Sequence, residues 1–504
     1  MSAHMMLLAQ AESTLVLPHV DWVSVAPATI LIGAAFVLLV AGSLLRGRLP
    51  KPTNITITIA AAVAAMFSTI PLWERVREGR AAATLADAVQ VDGFGVFFVI
   101  TICSALVLSA LIGEGFFVRE NLPGPEYNVL MLLSASGGII MATANDLIVL
   151  FLGLEILSIA LYVLAGSNVR KVESQESALK YFVLGAFSSA VLLYGIALVY
   201  GAVGTTNLSG ISTYLGDRVI FGNSLLVGGM VLLLVGLGFK VAAVPFHMWT
   251  PDVYQGAPSP ITGFMAATAK AAGFAALLRV FVSALGSRGT DWQPVVWVLA
   301  VITMVVGAIL AVVQSDVKRM MAYSSISHAG FIMIGLEAAS HRTGASGVSG
   351  SLFYLLAYTF IVLGTFAVIT IVGGQGDSAH RLDDYNGLAR RKPALALAFT
   401  LFLLAQAGIP ATSGFIAKFG VINAAVQVHS YAIAIVAMLT GVVTASFYLR
   451  LIMRMYATQP GEGAVAVRVP MGATIALVLC SAATLFGGLL PQVVVEFAQK
   501  ATLR

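Results

Sequence analysis

Six ionisable residues stand inside apolar stretches of this sequence: Glu155, Lys180, Lys240, Lys270, Arg279 and Lys418. A charge at mid-bilayer costs at least about 2.5–3.5 kcal/mol on the insertion scale. Several unrelated accidents of that size in one chain are improbable, so these groups should face protein or water. The chemistry open to them is proton exchange. Burial brings a lysine closer to releasing its proton at physiological pH, and a neighbouring carboxylate restores the charged form.

Glu155, in "LFLGLEILSIALYVL", lies nine residues past Asp146, about 14 Å along a helix at 1.5 Å per residue. It reads as a functional carboxylate or as a protonated, hydrogen-bonded structural one, and Lys240 is its natural partner. In "GLGFKVAAVPFHMWTPDVY" Lys240 is followed five positions later by Pro245. The proline ring lacks an N–H and clashes with the carbonyl of Val241. A helix broken in this way offers polar groups or water to an ammonium, and such breaks are tolerated at membrane depth where they line a hydrated cavity. The plainer alternative is a snorkelling lysine beside an ordinary kink.

Lys270, in "FMAATAKAAGFAALL", is about 15 Å into its span. Ala267, Ala271, Ala272 and Gly273 leave room around it for other helices or water. Lys418, in "AQAGIPATSGFIAKFGVI", belongs to a second interrupted helix marked by Pro410 and Gly414. Lys180, in "ESALKYFVLG", lies about one turn from its helix start and could snorkel to the interface. Arg279 comes late in its span and reads as an anchor. His247 and His328 (in "SSISHAGF") are candidates for proton relay or for ordinary helix packing.

The elements that must position these groups are membrane helices. Of 504 residues, 59% are hydrophobic and 10% charged, with a mean hydropathy of +0.94; soluble domains carry about 25% charged residues. Apolar runs lie at 25–45, 53–73, 92–113, 127–144, 146–165, 177–201, 224–248, 260–286, 294–313, 320–338, 350–373, 393–428, 431–456 and 470–490. A span needs about 20 apolar residues, so the expected fold is an all-α polytopic membrane protein with about 14 transmembrane helices. The seventh and twelfth are the interrupted ones. Five spans apart, they run in opposite directions, as an inverted repeat requires. Helices one to three (1–126) would then precede a first five-helix repeat (helices four to eight, 127–286). A second repeat (helices nine to thirteen, 294–456) and a last helix (within 470–504) would follow.

Loops on the side opposite the termini hold about 15 Lys and Arg, against about 8 on the terminal side. Positive loops face the cytoplasm, which places both termini outside. The net charge of +5 is explained by those loops without nucleic acid. Cys103 and Cys480 are the two cysteines, each alone in an apolar run, so no iron–sulfur ligand set is present. No GxxxxGK[ST] or GxGxxG motif occurs, which argues against nucleotide binding by this chain. The first 22 residues lack a basic n-region, which disfavours a cleaved signal peptide.

The stretches around Glu155 and Lys240, together with "ESALKYFVLGAFSSAVLLYGIALVYG" and "DVKRMMAYSSISHAGF", resemble the antiporter-like subunits of respiratory complex I. The likeness runs from about Asp92 to Arg454. That family shares its motifs with multi-subunit sodium/proton antiporters and membrane-bound hydrogenases. Among the complex I paralogues the resemblance is greatest to the bacterial subunit N family, given the small-residue-rich sixth helix and lysine at 418. The resemblance implies a proton relay through Glu155, Lys180, Lys240, Lys270 and Lys418 in a bacterial inner (plasma) membrane. It also implies that NADH, FMN, iron–sulfur clusters and quinone bind partner subunits, leaving no cofactor in this chain. The implied partners are other membrane subunits, including a paralogous antiporter-like one, and the lipid bilayer. A sodium/proton antiporter subunit and a scaffold that merely retains the charges are the rival readings.

Overall fold

The computed structural model describes residues 20–45, 51–80, 83–122, 124–217, 223–341, 345–459, 468–501 and 503, without the side chains of 51 and 345. The expectation about a signal peptide in the first 22 residues falls mostly outside these. Among the described residues the architecture is helical, with one short hairpin, Ala83–Thr84 against Val89–Gln90. Eleven helices among the described residues are long and apolar enough to cross a membrane.

Residue size decides which helices are central. Ser259–Ala284, rich in alanine and glycine, has 94% of its most apolar stretch inside the protein. Gly93–Arg119 and Ser346–Val372 are also largely enclosed. Trp22–Leu45 is peripheral and turns Phe36, Val40 and Leu44 outward, as suits a lipid-facing helix. Small residues bring backbones together where the candidate groups lie. A Cβ on Gly137 would stand 2.5 Å from the nitrogen of Leu157, so Glu126–Thr143 packs closely on Leu147–Ala165, the helix of Glu155.

Ends of helices are capped by side chains that water would otherwise replace. Asp92 accepts from the nitrogen of Gly95 at 2.7 Å, Asp146 from Ile148 at 2.7 Å and Asp316 from Arg319 at 2.8 Å. The turn expected around Asn145 and Asp146 is present, between Thr143 and Leu147.

Both interruptions are present. Ser224–Val241 stops four residues before Pro245, at the residue whose carbonyl the ring would strike, and the chain resumes helix at Trp249–Gly256. Pro393–Ala407 ends at Gly408, whose φ of +88° suits a residue without Cβ, and helix resumes at Ser413–Gln427. Gly414 lies inside the resumed helix, not in the break. A Cβ there would collide with the carbonyl oxygen of Ala405.

Two charged layers mark the ends of the bundle. Asp92 begins Gly93–Arg119 and Arg119 ends it, about 40 Å apart along a 27-residue helix. At one end Arg279 forms a bidentate pair with Asp92, at 2.8 and 2.9 Å. At the other end Glu120 accepts from the nitrogen of Gly376, and Lys171 donates to the carbonyl of Asp377 at 2.6 Å. These are called below the Asp92 face and the Asp377 face.

Candidate functional site

Lys240 stands one residue before its helix stops, 5% exposed. Its Nζ donates to Ser158 Oγ at 2.8 Å and reaches Tyr181 OH at 3.4 Å. The freed backbone of the break is satisfied elsewhere. Trp249 Nε1 donates to the carbonyl of Phe239 at 3.0 Å, and the nitrogen of Val244 donates to Thr303 Oγ1 at 2.9 Å. The sequence suggests that the break itself supplies the ammonium with polar groups; instead the break leaves Lys240 at a helix end where hydroxyls of two other helices reach it. Beside Lys240 is a small cavity lined by Ser158, Tyr162, Ser188 and Ser189, with about 10 Å³ open to the centre of a water molecule. That is room for about one water.

Glu155 shares a helix face with Ser158, three residues on. It forms no ion pair within 4 Å with Lys240, and its buried Oε1 has no hydrogen-bond partner. The expected pair thus stands apart, because Ser158 takes the lysine. Glu155 remains one helical turn from Ser158, which holds the ammonium.

Lys270 lies on the neighbouring helix. The stem of Lys240 packs against Gly273, where a Cβ would stand 3.4 Å from Lys240 Cγ. Lys270 follows a π turn, Met265–Ala269, and Arg279 opens a second, Arg279–Ala284. Such turns widen the backbone and recur at functional positions. Lys270 is 3% exposed, donates to the carbonyl of Ser325 and faces the ring of Tyr358 at 5.3 Å.

From Ser325 a polar seam continues along Val317–Ala339. Ser325 Oγ meets Tyr254 OH at 3.4 Å, and Tyr254 lies edge-on to Trp249, which stacks on Tyr181 beside Lys240. One turn further, His328 Nδ1 lies 2.6 Å from Tyr354 OH and Nε2 lies 3.3 Å from Tyr448 OH. Tyr448 and Ser324 both reach Gln406 Oε1. The next residue, Ala407, gives its carbonyl to Lys418 Nζ at 3.0 Å. Lys418 also lies 4.8 Å from the ring of Phe331. Lys240, Lys270, His328 and Lys418 thus lie along one polar seam, a row of neighbouring groups interrupted by the stacked rings of Tyr181 and Trp249 and not an unbroken chain of hydrogen bonds. Its hydroxyls and the His328 imidazole can both accept and donate a hydrogen bond.

The remaining candidates sit elsewhere. Lys180, 42% exposed at its side chain, pairs with Glu176 at 2.7 Å and Asp252 at 2.8 Å. Asp252 is shared with Arg319 at 2.8 Å, so the pairing ties the first broken helix to Val317–Ala339. His247 lies between outward-facing Pro245 and Met248, with a buried Nδ1 that has no partner, and makes no hydrogen bond to the lysines. Arg279, bonded to Asp92 and to the carbonyl of Ala142 at 2.8 Å, is an anchor at the Asp92 face.

Sequence reasoning missed two buried carboxylates. Asp377 accepts from Ser259 nitrogen and hydroxyl and pairs with Lys318 at 3.5 Å and His380 at 3.0 Å. Burial works to raise its pKa, but Lys318 and His380 outweigh it and hold the carboxyl well below the usual range. Glu337 is fully enclosed near the end of Val317–Ala339. Both stand outside the centres of apolar runs, where charge carries no signal. Among the described residues no three His, Cys, Asp or Glu side chains are grouped to hold a metal ion.

Residues 144–444 match the family model described as NADH:quinone oxidoreductase/Mrp antiporter, TM. The chain is 43% identical over 446 residues to NADH-quinone oxidoreductase subunit N of Trichlorobacter lovleyi, covering 88% of this chain and 90% of that protein. A chain of respiratory complex I from Thermus thermophilus with bound aureothin has 33% identity and a TM-score of 0.78, covering 93% of this chain and 98% of that one. A chain of the Mrp complex from Dietzia, 21% identical, shares the fold with a TM-score of 0.82, over 95% of this chain and 96% of that one.

Proposed function

This chain belongs to the NADH:quinone oxidoreductase/Mrp antiporter family of membrane subunits, and from that membership we propose that it is subunit N of a bacterial NADH-quinone oxidoreductase. It moves protons across the membrane while electron transfer runs in partner subunits. The observation that supports the mechanism is the alignment of Lys240, Lys270, His328 and Lys418, all buried, along one seam of hydroxyl, imidazole and carbonyl partners. In this reading Lys240, Lys270 and Lys418 are proton stations and His328 bridges the last two. Glu155 tunes Lys240 across Ser158, and the two titrate as a coupled unit. Lys180 serves as a charge relay toward Asp252. His247 is a lower-ranked relay candidate, on the outward side of the break.

The helices are read as fourteen spans, by adding Glu126–Thr143, Val317–Ala339 and the broken Pro393–Ala407/Ser413–Gln427 to the eleven long apolar ones. Helices four to eight and nine to thirteen form inverted repeats, supported by the opposed breaks. The domain layout is 1–126, 127–286, 294–456 and 470–504. The Asp92 face is outer, with both termini, and the Asp377 face is cytoplasmic. NADH, FMN, iron–sulfur clusters and quinone are assigned to partner subunits, among them a paralogous antiporter-like one.

Lys240→Met in the assembled complex, reconstituted in liposomes, tests this. The reading expects a severalfold fall in protons moved per electron pair with the complex intact. Unchanged pumping would support a scaffold role, and sodium-dependent transport without NADH oxidation would support the antiporter reading.

A further inference from the structure

We propose that Glu337 is the group that takes the proton from Lys418 and passes it to the Asp92 face; the inference rests on the relay proposed above.

Three helix ends converge on this residue. Glu337 is in the last turn of Val317–Ala339, Gln293 is in the first turns of Gly289–Val312, and Ser430 follows Ser413–Gln427. Gln293 Nε2 donates to Glu337 Oε1 at 2.8 Å and Ser430 Oγ donates to the same oxygen at 3.0 Å. His341 Nε2 lies 3.4 Å from it. All three partners use Oε1. Oε2 is buried and has none, although the side chain is 0% exposed. A carboxylate built only to hold helices together would be satisfied on both oxygens, since an unpaired buried acceptor costs about 1–3 kcal/mol. The unpartnered oxygen is where a proton can be taken up.

The placement matches a release route. Phe331, whose ring lies against Lys418, precedes Glu337 by six residues, about 9 Å along the helix toward the Asp92 face. Lys418 and Ser430 are related in the same sense on the other helix. Gly335, Gly347 and Ser351 close the contact with Ser346–Val372, where a Cβ on Gly335 would collide with Ser351 Oγ, so the proposed route runs on the other side, between Val317–Ala339 and Ser413–Gln427. A separation of that order calls for about three hydrogen-bonded waters at about 2.8 Å each. On the far side of Glu337, His341 is 36% exposed at its side chain, so the carboxylate stands between the enclosed seam and the surface.

The step balances as a proton transfer. The Lys418 ammonium becomes an amine as its proton enters the water chain, and the Glu337 carboxylate becomes a carboxylic acid. The acid then returns to carboxylate as its proton passes to the His341 imidazole or to surface water.

The test is the proton-to-electron ratio of the reconstituted complex carrying Glu337→Gln, Lys418→Met or both. Groups in series predict that each single variant lowers the ratio to the same level and that the double variant goes no lower. A full ratio in Glu337→Gln, or losses that add in the double variant, would overturn the role of Glu337 while leaving the lysine relay standing. A full ratio in Lys418→Met would instead remove the relay itself. Should Glu337→Gln block assembly, Glu337→Asp decides. Pumping retained with a displaced pH profile supports the role, and lost pumping or an unmoved profile overturns it.

Discussion

In the first interrupted helix the lysine stands just before the break and reaches across to hydroxyls of two other helices, Ser158 and Tyr181. In the second it stands after the restart and takes the carbonyl of Ala407, the last residue before its own break. The two sites are similarly buried, so burial alone does not separate them. What differs is ownership of the acceptor. The hold on Lys240 depends on how neighbouring helices sit and on the charge of Glu155 nearby, whereas the hold on Lys418 is internal to its helix. A displacement between helices would therefore change proton affinity at Lys240 and leave Lys418 as a fixed station. On the relay proposed above, that asymmetry suits a controlled station at Lys240 and an uncontrolled one at Lys418.

The largest effect expected from breaking this contrast is that of Lys240→Met, a severalfold loss of proton pumping measured in proteoliposomes, with assembly kept. Next is the tie between the two regions. Asp377 holds Ser259, just past the first broken helix, from the loop that leads into the second. Asp377→Asn leaves Lys318 buried without its counter-charge and is expected to cost about 3–5 kcal/mol, read as a lowered thermal midpoint of the purified complex. The native carboxyl lies below its unfolded value, so its stabilisation is fully present above about pH 3.9 and is lost as pH falls toward the depressed native value. Wild-type and Asp377→Asn midpoints are thus expected to differ at about pH 5 and to converge only in strong acid.

Ser158→Ala sharpens the comparison itself. It removes the nearest acceptor of Lys240 and is expected to cost about 1.5–3 kcal/mol in stability when Lys240 is charged, with reduced pumping. Lys418 has no side-chain acceptor whose deletion would do the same. Its counterpart is backbone, and Gly408→Ala probes it. The positive φ there and the Lys418 Cδ only 2.9 Å from an added Cβ predict a loss of about 1–2 kcal/mol, read as a smaller fall in the same midpoint.

Much of this arrangement was legible before the fold. Lys240, Lys270 and Lys418 stood out because charge inside an apolar run is costly, and both breaks were announced by Pro245 and Pro410. The acceptors were not legible. Ser158 and Tyr181 lie 82 and 59 residues from Lys240 in sequence, and a serine or tyrosine in an apolar helix carries no mark of what it will meet. The π turns at Lys270 and Arg279 left no periodicity to read. Glu337 and Asp377 escaped notice because a carboxylate near a helix end is ordinarily solvated, and only tertiary packing encloses these two.

The most direct measurement is a water-resolving structure of the assembled membrane complex. Ordered waters joining Lys240, Lys270, His328 and Lys418 into one hydrogen-bonded line are the predicted result. Ammonium groups found in dry, separate niches, with no water or hydroxyl between them, would contradict it.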